Sequence, residues 1–116
     1  MGTLIAAALP VLPGQSDRVR NFGKELEQHR DEFDRLNKEA TITRYVSWLQ
    51  ESPHGDVEII IMEADDPSRI RSYLSGDTAY DSWWLDYLRD VHGLDLRAIP
   101  EGQWPTAPAP AFSWPH

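Results

Sequence analysis

The segment 77–96, DTAYDSWWLDYLRDVHGLDL, constrains the fold of this chain more than any other. It has the boundaries of a helix, because Thr78 and Asp81 form a capping-box pattern at its start and Gly93 suits a left-handed residue at its end. Its apolar side chains recur at helical spacing on one face, namely Tyr80, Trp84, Tyr87, Leu88 and Val91. The segment therefore predicts a helix whose aromatic face packs against another layer of the protein.

Strands supply that layer. β-branched, aromatic and apolar residues predict strands at 3–11, 41–50, 57–64 and 94–99. An apolar stripe predicts one long helix over residues 17–38, and Pro67 suits the first position of a second, short helix. The order β-α-β-β-α-β predicts an α+β, ferredoxin-like fold, with a four-stranded antiparallel sheet and helices on one face.

The strand at 57–64 indicates a second contact surface, because both of its faces are apolar. Ile59 and Ile61 point one way, whereas Ile60 and Met62 point the other. Helices cover one face, and an uncovered apolar sheet is typical of a partner-binding surface. We therefore expect a symmetric homodimer in which two sheets meet face to face.

The chain changes character after residue 100. Residues 1–100 form the predicted domain, and residues 101–116 form a proline-rich tail, which disfavours helix and central strand. The tail carries Trp104, Phe112 and Trp114. Because large aromatic side chains favour burial, we expect the tail to dock on its own subunit or on the partner.

The composition excludes several classes of protein. A net charge of −8 disfavours nucleic acid and anionic membranes as partners, since both favour clustered Lys and Arg. The absence of cysteine removes disulfides, thiol nucleophiles and thiolate metal sites, and it fits a cytoplasmic protein. The apolar run 4–11 is too short to span a bilayer and lacks the basic start of a signal peptide.

Three segments give the chain a resemblance to a known family. They are the turn Leu12-Pro13-Gly14, the hairpin 45–63, and the segment 80–96 with its Trp-rich helix and His92-Gly93-Leu94-Asp95-Leu96. Together they resemble, over roughly residues 3–100, the dimeric α/β-barrel superfamily, which includes antibiotic-biosynthesis monooxygenase-like proteins and small uncharacterised bacterial relatives. The superfamily contains cofactor-free oxygenases, polyketide cyclases, haem-degrading enzymes, isomerases and members without known activity. The resemblance therefore implies a fold and a dimer, and no single chemistry.

Two histidines are candidates for acid–base catalysis, because imidazole titrates near neutral pH. His92 lies in the last turn of the predicted helix, where it either transfers protons and orients a substrate or serves as a C-terminal cation. His29 lies on the apolar stripe of residues 17–38, where it either faces a cavity or is a hydrogen-bonded core residue. Their spacing does not indicate whether the two meet.

Arg44 and Tyr45 are further catalytic candidates, and as neighbours on a strand they point to opposite faces. The planar guanidinium of Arg44 suits an oxyanion such as a carboxylate or phenolate. Its alternative is a cross-strand ion pair with Glu58 or Glu63. The sequence does not decide which of the two residues faces the helices.

Aromatic side chains are candidates for the walls of a substrate pocket: Trp84, Trp83, Trp48, Phe33 and Tyr87. The alternative for the tryptophans is packing in the core or in the dimer interface. Trp84 lies on the apolar face of its helix, while Trp83 points to the side, which suits a pocket rim or a subunit contact.

These candidates support two hypotheses of function. The first is a small enzyme, monooxygenase-like or cyclase/isomerase-like, that acts on a hydrophobic aromatic or polyketide-type molecule and, as the resemblance implies, needs no cofactor. The second is a non-catalytic dimeric module that binds a ligand or another protein. Haem binding through a lone histidine is a weaker third alternative. The chain has no HxH or HExxH motif and no glycine-rich phosphate loop, so we expect no metal site.

Overall fold

A three-stranded antiparallel sheet organises the fold in the computed structural model, which describes residues 2–69, 79–99, 111–112 and 114. Strand β1 is Thr3–Pro10, β2 is Ile42–Gln50 and β3 is Val57–Ala64. Their order is β1-β3-β2, so the strand that is apolar on both faces takes the central position. These bounds confirm the α+β class and three of the predicted strands.

The segment between β1 and β2 is bent, so the single helix predicted over residues 17–38 is wrong. Its elements are α1, Ser16–Arg20; α2, Phe22–Leu26; a 3-10 helix, Glu27–His29; and α3, Arg30–Glu39. The backbone leaves α-helical geometry at Asn21 (φ −94°, ψ 7°) and at His29 (φ −126°, ψ 19°). These bends wrap the segment around the core, so that Val19, Phe22 and Leu36 are all buried.

Helix α4, Ala79–His92, has the predicted apolar face and the predicted end. The face is buried, comprising Tyr80, Trp84, Tyr87, Leu88 and Val91, and it joins Ile42, Ile60 and Ala64 of the sheet in one core. The helix ends at Gly93, which adopts a left-handed φ of 70° and donates its N–H to the carbonyl of Arg89 at 2.9 Å. The predicted cap Thr78 and most of the short helix predicted from Pro67 lie outside the described residues.

The strand predicted at 94–99 is wrong, because this stretch contains a short 3-10 helix, Leu96–Ala98. The side chain of Asp95 accepts a hydrogen bond from the backbone N–H of Arg97 at 3.1 Å. Such local bonds compete with strand pairing, which explains why the alternating pattern fails here. Leu96 is buried in the core, and the sheet has three strands within the described residues.

The centre of the sheet face opposite the helices is apolar and accessible, as the two-faced pattern of β3 predicts. We call it the open face, and it comprises Ala6, Ala8, Val46, Trp48, Ile59 and Ile61. Trp48 is 49% exposed, and Leu4 at the edge of this surface is 66% exposed. The opposite surface, which we call the helix face, carries Ile60 and Met62.

Two aromatic residues of the tail are exposed in the single chain. Phe112 is 79% exposed and Trp114 is 81% exposed. Trp104 lies outside the described residues. Docking of the tail, on the chain's own subunit or on a partner, stays a prediction.

Candidate functional site

A groove of about 480 Å³ lies between β2 and the bent segment α1–α3. We call it the β2 groove, and its strand wall is formed by Tyr45, Ser47 and Leu49. Its opposite wall is formed by Val19, Phe22, Gly23, Leu26 and Phe33, with the exposed side chains of Arg20 and Arg30. Sites for small molecules in proteins typically measure about 300–1,000 Å³. The β2 groove is therefore large enough for a small organic ligand.

Three aromatic side chains, Phe22, Phe33 and Tyr45, contribute to the walls of the β2 groove. Alternation along β2 turns Tyr45 toward the helices, where Phe22 stacks on its ring at 6.2 Å and Phe33 meets it edge-on at 5.8 Å. Gly23 in the opposite wall has no atom within 4 Å of the position that a Cβ would take. The absence of a side chain at this point keeps the groove open.

A buried carboxylate lies behind the strand wall. Glu58 of β3 is 0% exposed, and three side chains donate hydrogen bonds to it or share a proton with it. Its Oε2 accepts from Ser47 Oγ at 2.5 Å, and its Oε1 accepts from Tyr87 OH at 2.9 Å. Oε1 also lies 2.8 Å from His92 Nε2. Ser47 thus joins the β2 groove to a polar network inside the core.

The contact of His92 Nδ1 with a backbone carbonyl shows which atoms of the His92 ring carry hydrogen. His92 Nδ1 lies 2.7 Å from the backbone carbonyl of Pro10, and a carbonyl oxygen only accepts, so Nδ1 carries a hydrogen. Nε2 and Glu58 Oε1 then share one proton, as imidazolium and carboxylate or as imidazole and carboxylic acid. The His92 side chain is 1% exposed, and both of its nitrogens are occupied.

The network favours the ionised form of Glu58. Burial alone would raise the pKa of Glu58, but the hydrogen bonds from His92, Ser47 and Tyr87 outweigh it and hold the pKa below its ordinary value. Burial, together with the negative charge of Glu58, raises the pKa of Tyr87 far above its ordinary value. Tyr87 therefore keeps its proton and acts as a donor to the carboxylate.

The structure divides the predicted site residues between these two places. Tyr45 and Phe33 line the β2 groove, and their predicted roles toward a substrate stay predictions. His92 and Tyr87 belong to the network behind it and do not line the groove. The His92 side chain is buried and hydrogen-bonded at the end of α4, and its predicted role in acid–base catalysis stays a prediction.

The other predicted residues of the helix side pack against one another. His29 stacks on Trp83 at 5.2 Å, and Trp84 stacks on Tyr87 at 5.5 Å. Trp83 also donates its Nε1–H to Glu25 Oε1 at 3.3 Å. Trp83 and His92 are separated by about 13 Å along α4, so the structure does not bring the two histidines into one pocket.

Arg44 and Trp48 lie on the side of the sheet away from the groove. The register places Arg44 directly opposite Glu63 and Trp48 directly opposite Ile59. Glu58 points to the helix face and bonds to His92, so the ion pair considered between Arg44 and Glu58 is excluded. Tyr45, rather than Arg44, faces the helices.

Sequence reasoning missed Ser47 and Glu58 as members of a site. The available signal was in VEIIIMEA, where alternation puts Glu58 on the same face as Ile60 and Met62. A buried carboxylate needs hydrogen-bond donors. Ser47 lies on the same face of the neighbouring strand, directly opposite Ile60 and two residues from Leu49, which is directly opposite Glu58. No sequence pattern indicated that α4 would bring His92 and Tyr87 to the same carboxylate.

Neither a metal site nor a membrane span is found in the part of the chain that the structure describes. No three of its His, Asp and Glu residues gather closely enough to hold a metal ion. None of its helices is both long and apolar enough to cross a bilayer.

The chain is a small α+β protein with a groove of about 480 Å³ between the edge strand β2 and its helices. No protein-family model, curated protein or solved structure matches it. The resemblance to the dimeric α/β-barrel superfamily stays a prediction.

Proposed function

We propose that the chain binds a small, uncharged aromatic molecule in the β2 groove and acts as a ligand-binding module. The observation that carries the proposal is the contact of Tyr45 in the strand wall with Phe22 and Phe33 in the opposite wall, beside a space of about 480 Å³. Ligand sites of this size are lined mainly by apolar and aromatic side chains, with a few polar groups that fix orientation. Ser47 supplies such a polar group.

The arginines of the groove support an uncharged ligand. Arg20 forms ion pairs with Asp17 and Glu51, and Arg30 forms ion pairs with Glu27 and Asp34. Each guanidinium is thus already balanced by carboxylates. An anionic ligand would have to displace these carboxylates, so charge gives it little advantage over a neutral aromatic compound.

Two features of the network favour binding over catalysis. A general base must reach the proton that it removes, and His92 is buried with both nitrogens engaged. The lowered pKa of Glu58 makes its carboxylate a weak base at neutral pH.

A cofactor-independent oxygenase or cyclase is our second candidate function. The hydrogen bonds from Ser47 to Glu58 and from Glu58 to His92 form a path along which a proton could leave a bound ligand.

We also propose that two copies pair through the open face. Its two central rows, Ala8–Ile59–Trp48 and Ala6–Ile61–Val46, combine small and large apolar side chains. Water-exposed apolar surface of this kind favours association, and a two-fold axis lets the same surface serve both subunits. The β2 groove lies on the other side of the sheet, so pairing leaves it accessible.

The binding proposal is tested at Gly23, where the chain offers a matched pair of variants. The probe is 1-naphthol, titrated into the protein by isothermal calorimetry. Gly23→Leu extends a side chain from the helix wall, where a Cβ meets no atom within 4 Å, and we expect it to fill the groove. We expect affinity to fall at least about tenfold, a change of about 1.4 kcal/mol.

Gly23→Ala is the control, because its single methyl group leaves most of the groove free. It should bind 1-naphthol within about twofold of the unmodified protein, a difference of less than 0.5 kcal/mol. Absence of binding by the unmodified protein at millimolar 1-naphthol, or equal binding by all three proteins, would contradict the proposal.

A further inference from the structure

The hydroxyl of Ser47 has one hydrogen, and that hydrogen is already used. Ser47 Oγ lies 2.5 Å from Glu58 Oε2. The proton that Glu58 shares with His92 lies on the other oxygen, Oε1, whichever of the two groups holds it. Oε2 therefore accepts in both arrangements, and Ser47 must donate to it. Only the lone pairs of Ser47 Oγ are left for a ligand.

The other two side chains of the strand wall do not offer a second polar group to a ligand. The hydroxyl oxygen of Tyr45 is buried, so the ring of Tyr45 rather than its hydroxyl forms the surface of the groove. Leu49 on the other side of Ser47 is apolar. Ser47 is thus the polar group that this wall presents, and it presents an acceptor.

We infer that the β2 groove selects aromatic ligands that carry a hydrogen-bond donor, such as a phenol or an aryl amine, and discriminates against ligands that carry only acceptors. This inference rests on the proposed function, because it specifies the ligand class of the same groove. A donor on the ligand completes the chain from ligand to Ser47 to Glu58. An ether or ketone oxygen in its place faces the Ser47 lone pairs and gains no hydrogen bond.

The test compares two ligands that differ in the group on one oxygen: a hydrogen in the first and a methyl group in the second. Affinities of 1-naphthol and 1-methoxynaphthalene are measured for the unmodified protein by calorimetry. We expect 1-naphthol to bind about five- to tenfold more tightly, the usual effect of one hydrogen bond. The methyl group makes the ether the more hydrophobic of the two ligands, so the hydrophobic effect alone would favour 1-methoxynaphthalene. Tighter binding of 1-naphthol would therefore reflect the hydrogen bond. 1-Naphthylamine, which also carries a donor, should bind like 1-naphthol.

Ser47→Ala should bring the affinities of 1-naphthol and 1-methoxynaphthalene to within about twofold of each other, because the acceptor is gone. Ser82→Ala is the matched control, since Ser82 lies on α4 outside the groove lining, and it should keep the preference. Equal or tighter binding of the ether to the unmodified protein overturns the inference and leaves the proposed function standing. Failure of all three compounds to bind overturns both. The ligand comparison needs no variant, so it decides the question even if Ser47→Ala does not fold.

Discussion

The two faces of the sheet use the same strands for opposite purposes. On the helix face, β3 contributes Glu58 and Ile60, and the carboxylate is enclosed with three hydrogen-bonding partners. On the open face, the same strand contributes Ile59 and Ile61, and exposed Trp48 lies beside them. The buried face thus holds the polar network, and the accessible face is apolar. The two faces of one sheet therefore differ in the function that we propose for them. The helix face carries the candidate ligand site, and the open face is the proposed surface for pairing of two chains.

Substitution of two glutamates of β3, one on each face, tests the difference between the faces and has the largest expected effect. Glu58→Ala removes the carboxylate that binds His92, Tyr87 and Ser47, and leaves these buried donors without an acceptor. We expect the free energy of unfolding to fall by about 3–5 kcal/mol, measured by urea denaturation. Glu63→Ala, on the opposite face of the same strand, should cost less than about 1 kcal/mol. Similar losses for the two variants would mean that the network stabilises the fold no more than a peripheral residue.

The open face is tested by placing a charge at its centre. Ile61→Lys should abolish pairing of two chains, because the ammonium group would be buried in an apolar interface. Multi-angle light scattering should give about twice the chain mass of 13.3 kDa for the unmodified protein, and the chain mass for the variant. Leu12→Lys replaces an exposed leucine outside the open face and should remain a dimer. An unmodified protein that is monomeric at micromolar concentration would contradict the pairing proposal.

Periodicity and end signals were sufficient to predict much of this architecture. The apolar face of α4, its end at Gly93 and the strand Val57–Ala64 follow from residues close together in the chain. The bends at Asn21 and His29 did not follow, because apolar spacings of three and four residues are the same in one straight helix and in several bent pieces. A fourth strand was predicted from alternation alone, and the hydrogen bond from Arg97 to Asp95 favours a turn there.

The site was harder to predict than the fold, because its members meet only through tertiary packing. Alternation identified the two faces of β3, but it did not say which of them the helices would cover. His92 and Glu58 are separated by 34 residues, and Tyr87 and Glu58 by 29. The sequence identified His92 as a candidate acid–base residue, and only the docking of α4 on the sheet makes it part of a buried pair with Glu58.

Lowering the pH should reduce the stability that the Glu58 network on the helix face contributes, without a mutation. The pKa of Glu58 in the folded protein lies below its ordinary value of 4.5, so ionisation of Glu58 is more favourable in the folded than in the unfolded chain and stabilises the fold. This contribution is present above pH 4.5 and is lost as the pH falls through the lower, folded pKa. Urea denaturation at a series of pH values should therefore show stability decreasing with acid across this window.

Glu58→Gln is the control for the acid series, because it keeps the size of the side chain and removes its titration. The variant should be less stable at neutral pH, and its stability should change less between pH 4.5 and the acid end of the series. If the two proteins lose stability in parallel, other carboxylates cause the acid response, and the helix face is not its origin.

The smallest predicted effect concerns the β2 groove, an open part of the helix face. Gly23→Ala adds a methyl group in α2, where it meets no atom within 4 Å, and removes the conformational freedom of glycine from the unfolded chain. We expect the free energy of unfolding to rise by about 0.5–1 kcal/mol, measured by urea denaturation. A loss of stability instead would mean that the helix wall closes onto the strand wall in solution, because the added methyl group would then meet an occupied space. In that case the helix face would be filled throughout, and a ligand would have to open the groove before binding in it.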